Sequence, residues 1–97
     1  MNLDLTSVRN QRGDILRLAA KYGVRNVRAF GSVARGTARS DSDLDVLVNF
    51  ESGRSLLDLI GFEQDLGELL GCKVDVVLDG GVSPYMEDRI YGEAVAL

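Results

Sequence analysis

The side chains best suited to chemistry lie in two short motifs and one distant acid: Gly31-Ser32, Asp43-Leu44-Asp45 and Asp75. Asp43 and Asp45 are two residues apart, so on a strand both leave the same face. Asp75 stands near the start of an otherwise apolar run, KVDVVL. Converging carboxylates need a cause, because two unit charges 4 Å apart repel by about 4 kcal/mol at an effective dielectric near 20. Either a divalent cation neutralises the cluster or one acid holds a proton. A cation held in this way suits phosphoryl or nucleotidyl transfer, where two ions about 4 Å apart activate the attacking oxygen and stabilise the leaving one. On this reading Asp43 and Asp45 bridge the ions and a triphosphate. Asp75 holds the second ion and helps deprotonate the incoming hydroxyl. Gly31 permits close approach of backbone to phosphate, and Ser32 offers a hydroxyl and starts a helical turn with free N–H groups. Arg35 and Arg39 stand where a cation could meet developing charge, although surface arginines more often solvate a face. Ser42 is open to two readings, phosphate contact or turn capping.

The spacing predicts elements that could bring these residues together. Val8, Ile15, Ala19 and Tyr22 recur at helical intervals, so one helix is expected from about Thr6 to Tyr22, stopped by Gly23. Val24–Phe30 reads as a strand broken by Gly31-Ser32, with Ser32 capping a turn over Val33–Arg35. Leu44–Phe50 is an apolar strand, expected to be central. Ser55–Leu70 is the clearest helix, with a capping box of Ser55 and Asp58 and a buried face of Leu56, Leu59, Ile60, Leu66, Leu69 and Leu70. Gly61 and Gly67 each cost about 1 kcal/mol there, a cost that close packing on a sheet would offset. Lys73–Leu78 is the third strand. Ser83 and Pro84 start a last helix ending near Gly92, and Glu93–Leu97 is a short extended tail. The fold class is therefore α/β (α+β), a small mixed sheet with helices packed on it, in the order α-β-α-β-α-β-α. The second and third strands flank a full helix and should be parallel with a right-handed crossover. Antiparallel pairing of the first two strands would set Gly31-Ser32 beside Asp43 and Asp45, and the parallel third strand would bring Asp75 to the same edge.

Composition narrows the functions. A chain of 97 residues argues for a single domain, residues 1–97, with an ordinary hydrophobic fraction of 45% and charged fraction of 27%. Cys72 is the only cysteine and there is no histidine, which excludes a zinc site of nitrogen and sulfur ligands and leaves oxygen-bound Mg²⁺, Mn²⁺ or Ca²⁺. Cys72 is expected to be inert packing between helix and strand. No apolar run approaches a membrane span, and the N-terminal MNLDLTSVRNQRGD lacks a secretory apolar region, so a cytoplasmic location is expected. A net charge of −4 argues against stable nucleic-acid binding. Arg25, Arg28, Arg35 and Arg39 nevertheless cluster in sequence, as a local polyphosphate site would. Tyr85 and Tyr91, six apart, are expected to pack in the core or on a partner surface. The glycines of GSVARG do not make a P-loop, because Thr37 stands where lysine is needed. Asp41, Asp43 and Asp45 do not open an EF-hand loop, because Val46 and Ser52 replace its glycine and glutamate.

Gly31-Ser32, the ten-residue spacer Val33–Ser42, Asp43-x-Asp45 and a third acid on a later strand resemble the signature of the nucleotidyltransferase superfamily that includes polymerase beta. GSVARGTARSDSDLDVLV is similar to its minimal nucleotidyltransferase (MNT) branch in particular. The resemblance continues through LLDLIGFEQDLGELLGCKVDVVLDGGVSPYMEDRIYGEAV and covers nearly the whole chain. It implies the nucleotidyltransferase fold, Mg²⁺ at the strand edge (two ions) and ATP as donor. Asp43, Asp45 and Asp75 would be catalytic and metal-binding, and Gly31, Ser32, Arg35 and Ser42 would be nucleotide-binding. Larger members carry an added acceptor-binding domain, of which this chain is expected to stop short. The resemblance further implies a hetero-oligomer with a HEPN ribonuclease toxin, for which the chain would be the antitoxin, transferring AMP to a tyrosine hydroxyl of that partner. Two alternatives stay open: an antitoxin that works by occlusion with ATP incidental, and nucleotidylation of a small-molecule hydroxyl such as that of an aminoglycoside.

Overall fold

The computed structural model describes residues 4–39 and 43–97, so Ser42 lies outside the described residues. Its elements are α1 (Leu5–Asn10), α2 (Arg12–Tyr22), β1 (Val24–Phe30), α3 (Gly31–Arg35), β2 (Leu44–Phe50), α4 (Leu56–Leu70), β3 (Val74–Leu78), α5 (Glu87–Glu93) and β4 (Val95–Ala96). One sheet holds them in the order β3-β2-β1-β4. β1 runs antiparallel to β2 and β4, while β2 and β3 are parallel across the α4 connection. This is the mixed sheet expected, and the extended tail has become a fourth, edge strand: Leu97 is buried and its N–H donates to the Val27 carbonyl at 3.1 Å.

Parity along the strands decides which side chains meet which helices. Leu44, Val46 and Val48 of β2 are fully buried in one apolar cluster with Val8, Ile15, Ala19, Phe62 and Leu66 of the helices. Leu47, one residue out of phase, belongs to a second cluster on the other face with Phe30, Val82 and Ile90. β1 meets a difficulty here, because Val24 and Val27 both join the first cluster although their spacing of three would put them on opposite faces. A bulge solves it. The register slips by one residue between Arg25 and Arg28, and Asn26 takes φ +53°, the left-handed region asparagine tolerates. Its amide donates to the Asn49 side chain at 3.0 Å.

Several helix expectations need correction. The first helix is two, broken at Gln11, whose N–H bonds back to the Val8 carbonyl three residues away while its own carbonyl starts the next helix at Ile15. Asp4 caps α1 by accepting from the Ser7 N–H at 2.7 Å. In α4, Ser55 is the cap and the Asp58 carboxylate accepts from its N–H at 3.1 Å, as the capping box requires. Its buried stripe, however, centres on Phe62 and Leu66, with Leu59, Leu69 and Leu70 at its margins. Leu56 (68% exposed) and Ile60 (41%) face solvent: the first turn of α4 overhangs the packed stripe. Gly61 is required by a helix rather than by the sheet, since a Cβ there would come within 2.7 Å of the Tyr22 ring on α2. The last helix starts three residues after Pro84. Ser83–Met86 forms a turn closed by the Met86 N–H on the Ser83 carbonyl at 2.8 Å, with Pro84 at its second position, where its fixed φ fits.

Candidate functional site

The site gathers on the face of the sheet that α2 and α4 do not cover. Phe30, the last residue of β1, pairs with Asp45 on β2, and Asp45 is abreast of Asp75 on β3 in parallel register. Paired residues in a sheet share a face, so the Asp45 and Asp75 carboxylates leave on the same side. Asp43, just before β2, is half-buried and lies 3.8 Å from the Lys73 ammonium. Burial raises the Asp45 carboxyl above the usual range. Asp75 and then Asp43 raise it further, and Arg35 partly offsets them. Asp45 therefore feels both of the other acids named from the sequence, and its charge is the one most in need of a cation.

Gly31 follows Phe30 with φ +74°, a conformation that costs a residue with a Cβ about 1–2 kcal/mol. A Cβ at Gly31 would also overlap the Asp45 carboxylate and sit 3.2 Å from its Cγ. Backbone and carboxylate thus touch where only glycine fits. Ser32 lies inside α3 rather than capping it. The cap position belongs to Phe30, whose own side chain makes no capping hydrogen bond. Ser32 lines a cavity of about 310 Å³ with Gly31, Arg35, Asp45, Arg89 and Glu93. A second cavity of about 480 Å³ shares Asp45, Phe30, Met86 and Ile90 with the first and extends over Asp75, Val76 and Ser83. Asp45 is therefore the ridge between a polar chamber and a more apolar one. A larger groove of about 640 Å³ between α2 and α4 is lined by none of these acids, and four of its charges pair internally, Arg17 with Asp14 and Lys21 with Asp65.

Of the four arginines clustered in sequence, the structure brings only Arg35 to this chamber. Arg25 lies 3.9 Å from Glu51. Arg28 binds Asp79 at 2.9 Å and Asn49 at 3.1 Å. Arg39 does not line the chamber. Tyr91 is not in the core, because its hydroxyl donates to Asp79 from an exposed position, and Tyr85 is 99% exposed. That bond, then Arg28, holds the Asp79 carboxyl below its usual range. Cys72 is half-buried against the core, and burial and then Asp43 push its thiol up, consistent with inert packing.

The donor set suits a hard cation: oxygen ligands only, on a face where like charges raise a carboxyl. Among the described residues no three acidic side chains are closed around an ion position.

The nucleotidyltransferase-domain family matches residues 13–97, a span that takes in Gly31-Ser32, all three acids and the C-terminal elements. The chain belongs to this family.

Relatives agree over most of the nucleotidyltransferase. A Methanocaldococcus jannaschii protein assigned as a protein adenylyltransferase is 43% identical over 84% of this chain and 87% of the relative. The protein adenylyltransferase MntA of Thermococcus cleftensis is 41% identical over 80% of the chain and 79% of the relative. A solved minimal nucleotidyltransferase superposes with a TM-score of 0.85 at 47% identity, over 98% of this chain and 97% of that one. Two more distant structures share the fold. One is a toxin–antitoxin complex with AMP-PNP (TM-score 0.72, 21% identity, 87% of this chain and 69% of that one). The other is a tri-AMPylated Shewanella oneidensis HEPN toxin with its MNT antitoxin (TM-score 0.66, 17% identity, 91% and 69%).

The nucleotidyltransferase places two residues in its polar chamber that the motifs did not name. Glu93 accepts from the Gly31 N–H at 3.3 Å and from Arg35 Nη1 at 3.0 Å on each oxygen, and Arg89 Nε lies 3.5 Å away. Partial burial pushes the Glu93 carboxyl up, but Arg35, with the Gly31 N–H and Arg89, outweighs it and holds the carboxyl low. The Arg89–Glu93 spacing of four on a helix was a visible signal. Its proximity to Gly31 was not, because that depends on a two-residue strand folding back along β1. No helix among the described residues is long and apolar enough to cross a membrane.

Proposed function

We propose that this nucleotidyltransferase is a single-domain, cytoplasmic antitoxin that transfers AMP from Mg-ATP to a tyrosine hydroxyl of a HEPN-type ribonuclease partner, with which it forms a hetero-oligomer. One observation carries the reading: Asp45, abreast of Asp75 and touching the Gly31 backbone, bears a carboxyl raised by burial and by the two other acids. Relatives named as protein adenylyltransferases support the reaction class, and the fold's occurrence in HEPN–MNT complexes supports the kind of partner.

Asp43, Asp45 and Asp75 would hold the divalent ions, which supply charge neutralisation of the triphosphate and of the leaving pyrophosphate. The chain's own groups do the rest. Gly31 lets the backbone approach the phosphates, and Ser32 offers its hydroxyl beside them. Arg35 meets the charge of the polyphosphate. Asp75, on the side of the more apolar chamber, takes the proton as the acceptor oxygen bonds to the α-phosphorus and the bond from that phosphorus to the bridging oxygen of pyrophosphate breaks. The ridge position of Asp45 separates donor and acceptor chambers while touching both.

The test incubates the chain with α-labelled ATP, Mg²⁺ and the product of the adjacent reading frame, which the reading expects to be a HEPN-type protein. Label on a partner tyrosine, absent with Asp45→Asn, is expected. A folded wild type that leaves the partner unlabelled overturns the reading. If Asp43→Asn/Asp45→Asn still neutralises the partner at natural abundance, occlusion is the mechanism. Label on free alcohols without the partner would favour a small-molecule acceptor.

A further inference from the structure

We propose that Arg89 joins Arg35 as a cationic contact for the nucleotide's polyphosphate, and that Glu93 is a resident counter-ion which the polyphosphate must displace. The proposal rests on the site reading given above and specifies how that site accepts its ligand. The side chain of Glu93 ends α5, yet it reaches across to the start and end of α3, 62 and 58 residues away in sequence. A carboxylate held by a backbone N–H at 3.3 Å and two guanidiniums at 3.0 and 3.5 Å engages the kinds of donor a phosphate oxygen would use. An Arg89–Glu93 contact alone would be an ordinary pair one helical turn apart. The link to Gly31 and Arg35 makes it part of the chamber.

Among the described residues the chamber is lined by two cations, Arg35 and Arg89, and two anions, Asp45 and Glu93, whose charges balance while Glu93 stays. A polyphosphate brings several negative charges to that space and needs the guanidiniums uncompensated. Glu93 keeps 21% side-chain exposure, and Arg89 keeps 63%, so both can rotate without disturbing the core. A ligand with little charge gains little by evicting the carboxylate, whereas a triphosphate gains two charge-assisted contacts at once. The device therefore favours nucleoside triphosphate over monophosphate.

Calorimetric titration of the full chain with AMP-PNP and Mg²⁺ tests this, with melting curves as a folding control. Glu93→Gln should bind AMP-PNP about tenfold more tightly and Arg89→Ala about tenfold more weakly, the size of one charged hydrogen bond. Weaker or unchanged binding by Glu93→Gln makes the carboxylate a brace rather than a counter-ion and overturns the proposal, as does unchanged binding by Arg89→Ala. If Glu93→Gln loses its cooperative melt, the exposed Arg89 position decides alone, on the same outcomes. A wild type that binds no AMP-PNP overturns the site reading itself and this proposal with it, a result distinct from failure confined to the two variants.

Discussion

Val46 and Asp45 are neighbours on β2, yet one is sealed under α2 and α4 and the other stands at the rim of a cleft. The sealed face carries Leu44, Val46 and Val48 at zero exposure against Ile15, Phe62 and Leu66. The other face has a shorter cover, α5 and the turn before it, which bury Phe30, Leu47 and Ile90 but leave the Asp45–Asp75 end open. The same strand thus supplies stability through its even positions and Leu47, and charge in tension at Asp45. A fold that raises a carboxyl by burial beside two like charges is giving up stability at that point, and such points concentrate where function resides.

Substitutions on the two faces should therefore fail in different ways. The largest effect is expected in the sealed core: Phe62→Ala should lower unfolding free energy by about 3–5 kcal/mol in urea titration. A loss below 1 kcal/mol would mean the α4 stripe is not the main seal. Next, Asp45→Asn should leave the fold at least as stable while cutting AMP transfer by about 100-fold or more, since even the outer partners of metal ligands are worth 10–100-fold. Equal loss of stability and activity would erase the distinction between the faces. The bulge that lets Val24 and Val27 share the sealed face is testable at Asn26. Asn26→Val should cost about 1–2 kcal/mol, the penalty of a left-handed residue with a Cβ, and Asn26→Gly should cost much less.

The smallest expected effect concerns pH. Because the folded chain holds the Asp45 proton more tightly than the unfolded chain does, Asp45 favours the fold most below the ordinary carboxyl value of 3.8, and that contribution is lost as pH rises through its raised folded value. Asp79 and Glu93, whose carboxyls are held low, act in the opposite sense. The difference in melting temperature between wild type and Asp45→Asn isolates the effect. Asp45→Asn should gain on wild type as pH increases from 3.8, and a constant difference would contradict the raised carboxyl.

Much of this arrangement was legible before any coordinates. Strand parity set Asp45 opposite in direction to Leu44 and Val46, and the α4 crossover made β2 and β3 parallel, which brings Asp75 to the same edge; Asp43, expected on the strand face beside Asp45, stands just before β2 instead. The bounds of β1 and β2 follow from Gly23, Gly31 and the apolar run at Leu44–Phe50. What could not be read depends on contacts between distant segments. Nothing local at Gln11 announces a break in the first helix. Leu56 and Ile60 have the right spacing to be buried, but the first turn of α4 projects beyond its packed stripe. The Gly61 requirement arises from Tyr22, 39 positions earlier. Arg89 and Glu93 reach the polar chamber only because Val95–Ala96 pairs with β1, and two residues carry too little periodicity to reveal a strand.

Thermal melting with Mg²⁺ and AMP-PNP, compared for wild type, Asp45→Asn and Asp75→Asn, asks whether the two paired carboxylates hold the nucleotide. Ligand that binds only the folded chain at 100 times its dissociation constant stabilises it by about 2.7 kcal/mol. A clear rise in melting temperature is expected for the wild type and is expected to be lost in both variants. The same rise in all three would mean that the paired carboxylates beside Gly31 do not hold the metal-bound nucleotide.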